Sequence, residues 1–84
     1  MENLDNLRKE INIIDDEMVK LFCKRLEISK RVGAVKKAGG TQVLDSDREN
    51  NIIKRLTENK SAGISGYIKE LYNTIFTISR NLQL

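Results

Sequence analysis

The residue least in keeping with its surroundings is Arg25. Apolar side chains recur between residues 4 and 35 at alternating intervals of three and four. Arg25 stands between Leu21 and Ile28, where that pattern asks for an aliphatic side chain. An arginine turned toward a helical core is costly unless an anion pairs with it. A structural bridge to a carboxylate, or a stem that carries the charge out to water, would satisfy it. Its neighbours point instead to an anion-binding cavity. Lys36 lies about 20° around a helix from Arg25 and about 16 Å along it, so both cations can face one elongated space. Asp45, Arg48 and Glu49 share a face that Ile52 and Leu56 continue into the core. Capping and dipole chemistry explains Glu49 in part, but not Arg48, a cation near a helix N-terminus. Tyr72, Phe76, Ser79 and Gln83 form a stripe that begins apolar and ends polar, for which fraying at a chain end is the plainer explanation.

Arg8 stands apart. It lies about 25 Å from Arg25 along the same helix and about 100° around it, too far to hold the same small ligand. In an antiparallel pair of chains it would lie beside the middle of its partner, which predicts a cavity shared between subunits. Such a lining suits a small polyanion, most naturally a dicarboxylate bearing hydroxyl groups, because arginine forks hold carboxylates bidentately. The set contains no nucleophile beside a base, no metal cluster and no phosphate loop. Catalysis there must come from positioning and fixed electrostatics.

The elements that must position these groups are helices. The three–four repeat, ending at Gly39 and Gly40, predicts one helix from about Asn3 to Ala38, with Lys36 and Lys37 favouring its C-terminal dipole. Ser46-Asp47-Arg48-Glu49 has the form of a capping box and predicts a second helix running to about Asn59. Lys60-Ser61-Ala62-Gly63 reads as a turn, and Ser65 as the cap of a third helix with a core stripe of Ile68, Leu71, Ile75, Ile78 and Leu82. The expected fold class is therefore all-α, with one long and two shorter helices in a single domain over residues 1–84. A first helix of about 54 Å would overrun a compact 84-residue monomer about 30 Å across. A break into a hairpin would shorten it, but no glycine or proline lies between Leu4 and Arg31 to cause one. An intertwined two-fold homodimer that buries the apolar seam is the expected remedy.

Composition agrees. The 84 residues include no proline, histidine or tryptophan and a single cysteine, which excludes an imidazole base, an internal disulfide and a histidine or zinc site. No stretch is apolar enough to span a membrane, and the polar N-terminus has no signal-peptide character. A cytoplasmic protein with no membrane association is expected, with Cys23 as a core or near-core filler. The net charge of +3 is mild, and its cations fall on the seam rather than along an exposed stripe, which argues against a nucleic-acid partner.

The run LRKEINIIDDEMVKLFCKRLEISKRVGAVKK, then DSDRE, then IFTISRNLQ, resembles the all-α chorismate mutases over essentially the whole chain. The spaced set Arg8, Arg25, Lys36, Asp45, Arg48, Glu49, Ser79 and Gln83 carries the likeness, while the loop before the third helix is somewhat short for that family. The resemblance implies a cofactor-free [3,3] rearrangement of chorismate to prephenate, on the route to phenylalanine and tyrosine, in a homodimer with two equivalent sites. It implies that Arg8 of the partner chain, helped by Ser79, binds the ring carboxylate, and Arg25 the enolpyruvyl carboxylate. Lys36 would contact that carboxylate and the ether oxygen, and Gln83 would donate to the same oxygen. Glu49 and the backbone near Asp45 would hold the ring hydroxyl, with Arg48 orienting Glu49. An isochorismate pyruvate lyase of the same fold, and a non-catalytic helical dimerisation module, are the alternatives.

Overall fold

The computed structural model describes residues 1–84 as three helices and no strands: α1 (Leu4–Ala38), α2 (Ser46–Thr57) and α3 (Ala62–Gln83). The long unbroken α1 agrees with the apolar repeat. Asn3 caps it in extended conformation, its side chain accepting from the backbone N–H groups of Asp5 and Asn6. At the other end Gly40 adopts φ +69, the Thr41 N–H bonds the Lys36 carbonyl at 2.8 Å, and the Gly40 N–H bonds that of Lys37. This Schellman turn needs glycine at its left-handed position, which is Gly40 rather than Gly39.

Two helix starts differ from expectation. The cap of α2 is Asp45, whose carboxylate accepts from the Arg48 N–H at 3.0 Å, and Ser46 is already helical. A carboxylate there suits the dipole better than a hydroxyl, and Glu49, lacking a cap to close back on, is freed for another partner. Helix α2 ends at Thr57, two residues early, because Glu58 (φ −58, ψ 132) and Asn59 (φ 63) form a type II turn closed by the Lys60 N–H on the Thr57 carbonyl at 3.1 Å. Helix α3 is capped by Ser61, not Ser65, and so absorbs Ala62 and Gly63. Those residues fall in the first turn, whose N–H groups have no intrahelical partner in any case.

Helix α3 packs against both others. It runs parallel to the C-terminal half of α1, since Arg25 meets Tyr72 and Ser79 while Lys36 meets Gln83. It runs antiparallel to α2, since the first turn of α2 meets the last turns of α3 through Glu49 and Arg80. The interior is small: Ile52 and Phe76 are its only buried large apolar side chains, and neither is fully covered. The stripe expected as the α3 core, Ile68, Leu71, Ile75, Ile78 and Leu82, remains half-buried or exposed, because the face turned inward carries Phe76 and Ser79. Cys23 is exposed, not a core filler within this chain. Every residue from Arg8 to Leu21 is exposed, and α1 forms a free arm that stretches the molecule to 58 × 27 × 15 Å.

Candidate active site

The groove lies where the C-terminal half of α1, the first turns of α2 and the last turns of α3 converge. It encloses about 280 Å³ and is lined by Arg25, Ser29 and Lys36 from α1, Asp45, Arg48 and Glu49 around the start of α2, and Ser79, Arg80 and Gln83 from α3. Ile28, Val32, Val43, Ile52 and Phe76 supply its apolar wall. That volume lies near the lower end of small-molecule pockets, about 300–1,000 Å³.

Arg25 is half-buried, and neither simple arrangement open to it is found: it bonds no carboxylate and does not run out to water. Its Nη1 donates to Ser79 Oγ at 2.9 Å, and its guanidinium lies 5.8 Å from the Tyr72 ring centroid and 5.9 Å from that of Phe76. The aromatic faces offset part of the cost of desolvation without neutralising the charge. Ser79 Oγ also accepts from Ser29 Oγ at 3.3 Å, so both its lone pairs are engaged and its own O–H is left to donate. Lys36 Nζ donates to the Val43 carbonyl at 2.7 Å and to Gln83 Oε1 at 3.0 Å. An ammonium group only donates, so Gln83 must turn its oxygen to Lys36 and keep its NH₂ as a free donor.

Glu49 is held differently from expectation. Its partner is Arg80, whose Nη1 lies 2.7 and 2.6 Å from the two carboxylate oxygens, and not Arg48. Side chains at adjacent helical positions do not face each other, so Arg48 cannot readily clasp Glu49, whereas Arg80 reaches it across from antiparallel α3. Of the expected set, the fold brings together Arg25, Lys36, Asp45, Arg48, Glu49, Ser79 and Gln83. Arg8 is not among them; it sits exposed on the free arm of α1. Sequence reasoning passed over Ser29, Gly33 and Arg80. A signal for Arg80 was present, because Phe76, Arg80 and Gln83 follow helical i, i+4, i+7 spacing.

Four cations (Arg25, Lys36, Arg48 and Arg80) line the groove against two carboxylates (Asp45 and Glu49), and the Glu49–Arg80 pair is the one ion pair. Three cations therefore face the groove without a carboxylate partner. Such an arrangement attracts a small anion and can stabilise negative charge that develops on it.

Residues 7–84 match the model of one protein family, chorismate mutase type II. The chain is 41% identical over 71 residues to the T-protein of Haemophilus influenzae, covering 83% of this chain and 19% of that one. It is 32% identical over 76 residues to the bifunctional chorismate mutase/prephenate dehydratase of Aquifex aeolicus, covering 90% and 19%. It is 34% identical over 56 residues to the chorismate mutase of Methanocaldococcus jannaschii, covering 67% of this chain and 57% of that one. The chain thus spans about a fifth of the first two relatives and over half of the third. Among solved structures, a conserved hypothetical protein from Pyrococcus furiosus superposes with a TM-score of 0.81 at 32% identity, covering 96% of this chain and 95% of that one.

Proposed function

The chain belongs to the chorismate mutase type II family, and on that premise we propose that it is a cytoplasmic enzyme that rearranges chorismate to prephenate in a homodimer. The observation that carries this reading is the set of unpaired cations on the groove, with Lys36 and Gln83 side by side at one end.

Chorismate is a dianion that must fold from an extended shape into a compact one before its bonds can exchange. Arg25 holds one carboxylate, and Arg8 from the partner chain, with the free O–H of Ser79, holds the other. Gripping both ends brings the reacting carbons together and removes much of the entropic barrier. As the C–O bond breaks, the ether oxygen gains negative charge. Lys36 has one N–H left after bonding Val43 and Gln83, and the Gln83 NH₂ is free. Both donors stabilise charge that is present only in the transition state. Glu49, oriented by Arg80 in place of Arg48, accepts from the ring hydroxyl beside the backbone at Asp45. Arg48 adds positive potential. No step requires a cofactor, and because position 83 is an amide, none requires protonation of a carboxyl group there.

The homodimer reading rests on exposed surface. A compact monomer of 9.6 kDa exposes about 5,100 Å², whereas this chain exposes 7006 Å². The excess of roughly 1,900 Å² per chain is on the scale of an obligate dimer interface. Apart from the half-buried Leu7, the seam of α1 supplies much of it, from 40% exposed at Val32 to 73% at Val35. Complete burial of such a side chain from full exposure is worth about 1.5–3 kcal/mol, and roughly half of that remains to be gained here.

The deciding experiment follows loss of chorismate absorbance and identifies the product, with isochorismate assayed in parallel. Prephenate formation supports the reading. Pyruvate release from isochorismate without prephenate formation would replace it with the lyase, and turnover of neither substrate would leave a non-catalytic dimerisation module.

A further inference from the structure

Gly33 is buried in the interior of α1, where glycine is less favourable than alanine. It neither caps a helix nor adopts a positive φ, so backbone conformation does not call for it. Space does. A Cβ built on Gly33 would lie 2.7 Å from the Cα of Gln83, 3.0 Å from its Cβ and 3.1 Å from its Cγ. The closest of these atoms is backbone and cannot swing aside. One turn earlier on α1, Ser29 meets Ser79; one turn later, Lys36 meets Gln83. The tightest approach of α1 and α3 thus falls between two polar contacts of the groove, on the last helical residue of the chain.

We propose that Gly33 is a positioning residue of the active site: its missing side chain lets the final turn of α3 close on α1 and so sets the Gln83 amide beside Lys36. This rests on the reading that Gln83 donates to the substrate. Gly33→Ala improves helix propensity in α1, and the clash falls on the last turn of α3 rather than in its body, so the three helices persist. The last turn of α3 is displaced instead, and the Lys36–Gln83 bond lengthens.

The test pairs kinetics with nuclear magnetic resonance. In the wild-type protein, a nuclear Overhauser contact between the Gly33 α-protons and the Gln83 α- or side-chain protons is expected; its absence overturns the proposal without any variant. In Gly33→Ala, the Gln83 side-chain amide resonances (identified by their loss in Gln83→Ala) shift, and kcat for chorismate falls about ten- to a hundred-fold with KM changed less than about threefold. Added to Gln83→Ala, the same substitution changes kcat by less than about twofold, because the group it positions is already gone. An unmoved amide, a moved amide with unchanged kcat, or an equal loss in the Gln83→Ala background each overturns the proposal. Should the wild-type chain fail to turn over chorismate, the functional reading falls, and the amide shift still decides whether Gly33 sets Gln83.

Discussion

Lys36 carries three N–H donors, and Val43 and Gln83 occupy two of them. In the proposed mechanism the third N–H and the Gln83 amide are the donors to the developing oxyanion, and removing one such donor typically costs about a hundred- to a thousand-fold in rate. Lys36→Ala and Gln83→Ala are each expected to lower kcat by that order while leaving the melting temperature within a few degrees, as chorismate absorbance and circular dichroism would report. Arg80 clasps Glu49 and, in the proposed mechanism, acts through it. Arg80→Ala frees the Glu49 carboxylate to turn, and kcat/KM for chorismate is expected to fall about tenfold, with partial recovery in Arg80→Lys. An unchanged kcat/KM would refute that role. Residues such as Arg25 and Lys36 were legible because a charge on an apolar stripe is anomalous within its own helix. Gly33 was not, and for Arg80 the spacing gave its face but not its partner, because what distinguishes both is a distance to another helix.

The ends of the helices decide where the groove opens. The Schellman turn at Gly40 reverses the chain after α1, and the loop that follows returns the Val43 carbonyl to the Lys36 ammonium. Asp45 then starts α2 with Glu49 one turn inside it, across from Arg80. Because Asp45 and not Ser46 is the cap, Asp45→Ala should cost about 1 kcal/mol in urea unfolding and Ser46→Ala a few tenths at most. Equal effects would restore the capping box expected from the sequence. The misplaced starts of α2 and α3 share a cause: residues of similar capping strength lie within about one turn of each other, and the apolar period does not choose between them. Periodicity located the bodies of all three helices, since the apolar stripe repeats over many turns.

Taken whole, the molecule is an arm attached to a half-built core. Its radius of gyration is 16.2 Å, against about 12 Å for a compact chain of this length. The proposed dimer, with the two arms cross-covering each other, would account for the exposed seam and would deliver Arg8 to the partner's groove. Sedimentation should then give about twice the 9.6 kDa chain mass, and Met18→Asp, a charge in the middle of the arm, should yield a less stable, inactive monomer. Mixing Arg8→Ala chains with Arg25→Ala chains should restore roughly a quarter of wild-type activity after random exchange, because each mixed dimer keeps one intact site. No recovery despite confirmed exchange would sink the shared groove.

The sequence alone determined the three helices, and it carried the expectations of a partner chain and an anionic ligand. Each of these follows from spacing and residue type within a single helix: an apolar seam too long for its own domain, and cations where aliphatic side chains belong. Only the tertiary structure decided that Arg80 holds Glu49, that Lys36 turns the Gln83 amide outward as a donor, and that Gly33 sits where two helices touch. Those relations depend on the ångström-level separation of helices remote in sequence, and helical periodicity carries no information about that distance.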